Sequence, residues 1–245
     1  MAQLSDLKLK YQLLIKGYPF RRLDWHPGAC LTKPLSQSRI ALITTAGFYL
    51  PDQKPFDQSY RHDDCSYREI PWSTPVDILQ IGQSSDAFDH SGIEADRNLT
   101  LPLDRLREMI SAGEIGESAP RHFSIMGSIV APARLISESG PKIAAKLRED
   151  SVDGVLIAPV CPFCHQAAGL LQSIIEKEGI PTVSISLLTE ITRRVEPPRV
   201  LVVDRPLGYP LGEPNNPELQ KRIMRSALEL LSTPVSAPLA VTFAA

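Results

Sequence analysis

The run Val152-Asp153-Gly154-Val155-Leu156-Ile157-Ala158-Pro159-Val160-Cys161-Pro162-Phe163-Cys164-His165-Gln166 decides how this chain reads. Its first half is an apolar stretch bounded by Gly154 and Pro159. It is too short for a helix and does not alternate, the pattern of a strand buried on both faces. A helix follows over 164–179, with Pro162 just ahead of it. A strand that passes directly into a helix is half of a βαβ unit and predicts a parallel sheet.

The same alternation extends in both directions. Strands are predicted over 39–45, 76–81, 122–126, 181–186 and 199–204, and helices over 3–16, 103–112, 132–150 and 215–231. Gly17 and Gly113 stand where helices should end, and Gly140-Pro141 weakens the 132–150 helix. Residues 48–75 carry Pro51, Pro55, Pro71 and Pro75 and read as one long polar loop, a length that is usually functional or disordered. The expected organisation is a helix and extended arm over 1–38, one α/β domain over 39–232 and a loose tail over 233–245. The fold class is α/β, flavodoxin-like: an open, mostly parallel sheet with helices on both faces. Ligands bind beyond the carboxyl ends of such strands, which marks 44–47, 82–85 and 159–165.

Composition narrows the function. Lys plus Arg total 26 and Asp plus Glu 28, a net charge of −2 over 245 residues. That balance lacks the basic face that nucleic acid requires and the polybasic anchor of a membrane surface. No stretch approaches the ~20 apolar residues of a membrane span. The first residues show no charged region followed by an apolar one, so a cytoplasmic address is expected. The 22 prolines exceed the ordinary share of ~5% and fall mostly at element boundaries and in the 48–75 loop. Four cysteines, at 30, 65, 161 and 164, are too few for a disulfide scaffold. The glycine-rich phosphate loop of nucleotide cofactors does not occur.

Cys161 and Cys164 therefore stand out. A cysteine at a helix N-terminus meets unpaired N–H groups and the positive end of the helix dipole. Both stabilise thiolate and raise reactivity near neutral pH. A second thiol three residues on can resolve an adduct on the first, so Cys161 reads as nucleophile and Cys164 as resolving thiol. Other readings stay open. The two can be inert core cysteines. With His165 and a fourth ligand from Cys30, Cys65 or a distant His they can hold zinc, in a metal-binding or redox-sensor protein. Cys-x-x-Cys-His is also the haem-attachment spacing.

Further polar residues fall at the predicted strand ends. Thr44, Thr45 and Gly47 can offer hydroxyl and backbone donors to a substrate carboxylate, or simply form a turn. Arg68, beside Asp63, Asp64, Ser66 and Tyr67, can clamp a carboxylate or stand as a solvated loop charge. His90 is a candidate proton donor, with Asp89 to orient it and Asp86 nearby. His165 can hold Cys161 as thiolate by charge. Arg121 and His122 precede a strand and belong to the opposite edge, as an ion pair or cap. His26 and His62 carry no assignment.

Several stretches together resemble a known family. They are Leu42-Ile43-Thr44-Thr45-Ala46-Gly47, Cys65-Ser66-Tyr67-Arg68-Glu69-Ile70-Pro71, Phe88-Asp89-His90 with Asp96-Arg97-Asn98, Leu101-Pro102-Leu103-Asp104-Arg105-Leu106, Gly113-Glu114-Ile115-Gly116, Ala119-Pro120-Arg121-His122-Phe123-Ser124-Ile125-Met126-Gly127, and Val160-Cys161-Pro162-Phe163-Cys164-His165-Gln166. The chain is similar to the selenoprotein B family of glycine, sarcosine, betaine and D-proline reductases, from about residue 20 to residue 190. Its length is that of the short D-proline reductase subunits. In that family the first position of the pair is often selenocysteine, and it attacks a substrate activated as an imine by a pyruvoyl group on a partner subunit. Here the position is Cys161. The resemblance implies a thiol-dependent oxidoreductase that cleaves a small substrate reductively. No resident cofactor is expected. An external dithiol or thioredoxin-like donor would reset the pair, a pyruvoyl-bearing partner subunit can be needed, and a homo-oligomer is expected.

Overall fold

A computed structural model describes residues 2–57, 63–83 and 85–244. The strands are β1 (Arg39–Thr44), β2 (Phe48–Tyr49), β3 (Tyr67–Pro71), β4 (Gln80–Ile81), β5 (Glu117–Ser118), β6 (Arg121–Ile125), β7 (Gly154–Ala158), β8 (Thr182–Ser186), β9 (Arg199–Val202) and β10 (Leu239–Thr242). The helices are α1 (Leu9–Gly17), α2 (Ser91–Ala95), α3 (Leu103–Ser111), α4 (Gly140–Glu149), α5 (Pro162–Lys177), α6 (Thr189–Val195) and α7 (Pro217–Glu229). The main sheet runs β10-β9-β8-β7-β1-β6-β3, with β5 paired to the first residues of β1. All its pairings are parallel except that of β3 with β6. Counting β5 and β6 as one interrupted strand, the parallel order is that of flavodoxin-like sheets, and the order of the strands reverses between β1 and β7.

Alternation within the central strands builds a core on each face. Ile40, Leu42 and Leu156 pack with Leu106 and Met109 of α3 and Ile223 and Met224 of α7. Ala41, Ile43, Val155 and Ile157 pack on the other side with Ile143 and Leu147 of α4 and Leu171 and Ile175 of α5. Each fully buried aliphatic side chain contributes roughly 1.5–3 kcal/mol. Burial on both faces is why 154–158 reads as an unbroken apolar run.

Several sequence expectations are corrected. The strand expected over 76–81 is a 3-10 turn, Val76–Ile78, followed by the two residues of β4. Pro75 caps that turn, and β4 pairs antiparallel with β2 outside the main sheet. The loop over 48–75 contains β2 and β3, and β3 forms because β6 offers it an edge; residues 58–62, including His62, lie outside the described residues. The helix over 132–150 opens with a π-helical segment, Leu135–Ser139. Pro141 lacks an N–H, so the ladder bond from that position is lost and the wider turn accommodates it. The tail is not loose where β10 pairs in parallel with β9. The arm over 1–38 packs on the domain, with Ile15, Trp25 and Leu31 buried.

Candidate active site

Cys161 lies where β7 gives way to α5. The chain turns through Pro159 and Val160 and enters the helix with Cys161 as its N-cap, in extended conformation (φ −121°, ψ 170°). Pro162 takes the first helical position, where a missing N–H costs nothing. The N–H of Cys164 donates to Cys161 Sγ at 3.3 Å, so sulfur serves where a Ser or Asp oxygen usually caps a helix. Cys161 and Cys164 form a disulfide, their Cα atoms 4.9 Å apart, and both are buried.

The end of β1 holds this turn in place. The N–H of Val160 donates to Thr45 Oγ1 at 3.1 Å, and the N–H of Thr45 donates to the Ala158 carbonyl at 3.3 Å. Thr44 Oγ1 accepts the N–H of Ala46 at 3.1 Å. Gly47 adopts φ +64° and donates its N–H to the Ile125 carbonyl at 3.0 Å. These three residues therefore shape the floor of the site. They do not form the open cradle of donors that a carboxylate would need, because the Gly47 and Thr45 N–H groups go to backbone carbonyls, the Thr45 hydroxyl faces the Ala158 carbonyl at 3.5 Å, and both threonines are buried.

His165 departs from expectation. Its Nε2 accepts the N–H of Leu187 at 3.0 Å, and its Nδ1 faces the Cys161 carbonyl at 2.8 Å. The first bond makes Nε2 the acceptor, so Nδ1 carries the proton and the ring is neutral. Burial pushes its pKa down to about 4. It positions the Cys161 backbone and cannot stabilise a thiolate by charge at neutral pH.

Asp89 accepts the N–H of Ser91 at 3.0 Å and the hydroxyls of Ser91 and Tyr209 at 2.8 and 2.7 Å, and these bonds hold its carboxyl below the usual range. It fixes the start of α2 and does not orient His90. The His90 ring stacks on Phe88 and bonds the Ser85 carbonyl through Nε2 at 2.7 Å. Phe88 and Asp89 line a cleft of about 350 Å³ together with Leu7 and Leu207. Leu207 precedes Gly208, whose N–H donates to the Val160 carbonyl at 2.9 Å. Gly208 thus joins the segment that lines this cleft to the Cys161 turn.

A larger cleft, about 530 Å³, lies beside Arg68, two strands from β1. Arg68 is not free to clamp a carboxylate there. It donates to the carbonyls of Lys54, Pro55 and Tyr67 and to Ser66 Oγ, and stacks on Phe56. Arg121 pairs with Glu69, Glu149 and Asp150 at the opposite sheet edge. His122 accepts the N–H of Leu42 at 3.0 Å, and burial pushes it down to about 3. Its ring supplies the β1 partner that the β5–β6 interruption removes.

The model of the glycine/sarcosine/betaine reductase selenoprotein B family matches residues 7–159. The chain belongs to that family. It is 34% identical over 207 residues to D-proline reductase subunit gamma of Acetoanaerobium sticklandii, covering 84% of this chain and 82% of that one. Two glycine reductase complex component B gamma subunits are also similar. That of Peptoclostridium acidaminophilum is 29% identical over 93% of this chain and 53% of its own, and that of Carboxydothermus hydrogenoformans 27% over the same shares. The chain thus spans about half the length of the glycine-type relatives. No solved structure matches.

The match to the selenoprotein B model stops at Pro159, two residues before the disulfide. The site in this family member gathers the ends of β1 and β7, the start of α5 and two groups that sequence reading passed over. Gly127, at φ +70°, lies so close to the pair that a Cβ there would stand 2.8 Å from Cys164 Sγ. Gln83 reaches the same sulfur at 3.8 Å. The arm also covers the first turn of α5, where Tyr18 and Phe20 pack on Phe163. Gln83 fell inside the marked 82–85 stretch. A lone glutamine carries no chemical signature, and only its burial in the fold singles it out.

Proposed function

We propose that this chain is a thiol-dependent oxidoreductase subunit of the glycine/D-proline reductase type, cleaving a small substrate reductively with Cys161 and Cys164. The observation that carries this reading is the disulfide at the α5 N-terminus, at the carboxyl ends of adjacent parallel strands. The Cys161 thiolate attacks an electrophilic atom of the substrate and the leaving group departs with its electron pair. Cys164 then attacks Cys161 Sγ, a disulfide forms, and the product leaves carrying two electrons and a proton. An external dithiol or thioredoxin-like donor supplies the two electrons that reopen the pair. A pyruvoyl group on a partner subunit is the proposed activator for amine substrates, and the names of relatives as complex components support a multi-subunit setting. His90, whose ring stacks on the cleft-lining Phe88, is the proposed proton donor to the leaving group.

The zinc-binding alternative is less well supported. Both His165 nitrogens face backbone groups, and no cluster of three or more His, Cys, Asp or Glu residues with metal-holding geometry occurs among the described residues. Intact mass of Cys161→Ser and Cys164→Ser variants, each incubated with a panel of amino-acid and amine substrates, tests the proposal. The Cys164 variant should retain a covalent adduct and the Cys161 variant none. Adducts on neither, with stoichiometric tight zinc, would reverse the choice.

A further inference from the structure

The buried amide of Gln83 faces three acceptors. Its Nε2 donates to the Met126 carbonyl and lies 3.3 Å from the Thr45 carbonyl and 3.8 Å from Cys164 Sγ. Its Oε1 accepts the N–H of Ser85 at 3.2 Å. Two carbonyl oxygens on one side and an N–H on the other fix which end of the amide faces the sulfur, since only the NH₂ end can donate.

We propose that Gln83 is the hydrogen-bond donor that stabilises the reduced sulfur of Cys164 and so sets the thiol–disulfide equilibrium of the Cys161–Cys164 pair. This rests on the thiol reading above. The amide has two N–H bonds for three acceptors. Met126 takes one, and the other lies between the Thr45 carbonyl and the sulfur. A disulfide sulfur is a weak acceptor, whereas a thiolate receives a charge-assisted bond. When an external dithiol gives up two electrons, becoming a disulfide itself, the S–S bond breaks. Two thiols form with the dithiol's two protons, and a thiolate arises when one proton passes to solvent. The shared N–H can then turn toward Cys164 without any movement of the chain.

The fold is built to aim this group. β4 pairs with β2, and the N–H of Gly82 donates to the Gly47 carbonyl at 2.9 Å. A Cβ on Gly82 would stand 2.7 Å from that oxygen, so only glycine permits the approach that delivers Gln83. Gly127 also approaches the sulfur closely, since a Cβ there would stand 2.8 Å from it. Among the described residues each sulfur thus has an N–H donor of its own: Cys164 N for Cys161, and Gln83 Nε2 for Cys164. Burial strengthens such bonds electrostatically.

The test is equilibration of the full chain with a series of oxidised and reduced dithiothreitol, read by alkylation and intact mass. Gln83→Met keeps length and bulk and removes the donor. It should shift the equilibrium about tenfold toward the disulfide, equivalent to ~30 mV more negative. In a Cys161→Ser background it should also slow iodoacetamide alkylation of Cys164. Gln83→Glu, which keeps the acceptor toward Ser85 and places an anion at the sulfur, should shift the equilibrium further in the same direction. It also provides the reading if the Met variant does not fold. Equal equilibrium constants in wild type, Met and Glu forms would overturn the role of Gln83 and leave the adduct-trapping result for the cysteines unaffected. A wild-type pair that no dithiol ratio opens would overturn both.

Discussion

The Nε2 atom of His165 accepts the backbone N–H of Leu187 at 3.0 Å, which ties the first turn of α5 to the loop after β8. A proton on that nitrogen would break the tie, so the folded protein keeps the ring neutral. His122 is held neutral in the same way by the N–H of Leu42.

This predicts a specific acid sensitivity. Burial depresses the two imidazoles to about 4 and about 3 from an ordinary 6.5. Above pH 6.5 both are neutral folded or unfolded, and their contribution is fully present. Below 6.5 the unfolded chain takes up protons that the native chain refuses, so stability falls as pH drops toward 4. The loss for His165 alone is roughly 3 kcal/mol. Urea midpoints should decrease between pH 7 and pH 5, and less steeply in His165→Asn. A flat profile in the wild type would contradict the neutral assignment.

The second prediction concerns Glu176 and Arg199, a fully buried ion pair at 2.8 Å joining α5 to β9. Glu176 also accepts from Thr182 and from the N–H of Ala29, and Arg199 donates to the carbonyls of Ala29 and Thr233. The pair therefore fastens the arm and the tail to the domain. Glu176→Ala leaves a buried guanidinium uncompensated and should cost about 3–5 kcal/mol. Urea unfolding measures this. Limited proteolysis should show earlier cleavage in the arm. A loss under 1 kcal/mol would mean that the pair is not held as described.

Two glycines of similar backbone separate strain from crowding. Gly113 and Gly127 both have positive φ, but a Cβ on Gly113 meets nothing within 4 Å, whereas one on Gly127 would stand 2.4 Å from Thr45 Cβ. Gly113→Ala should cost roughly 1–2 kcal/mol from conformation alone. Gly127→Ala should add overpacking of about 1–3 kcal/mol and alter dithiothreitol reduction of the Cys161–Cys164 disulfide. Equal destabilisation with unchanged reduction would show that Gly127 does not confine the pair.

The sequence by itself determined the parallel sheet, because apolar runs such as 154–158 and the helical repeats beside them report burial through their periods. It also pointed to the Cys161–Cys164 turn, because strand, proline and cysteine spacing are local. Site residues away from that turn were legible as chemical types only. Arg68, Asp89 and His165 looked available until the fold supplied their partners: carbonyls for Arg68, Ser91 and Tyr209 for Asp89, and the Leu187 N–H for His165. β3 and β10 depend on partners far away in the chain, so no local pattern announces them. Tertiary structure alone decided that Gln83 and Gly127 enclose Cys164. Hydrogen bonds and close approaches join residues whose separation along the chain carries no periodic signal, and burial sets which of those groups remain neutral.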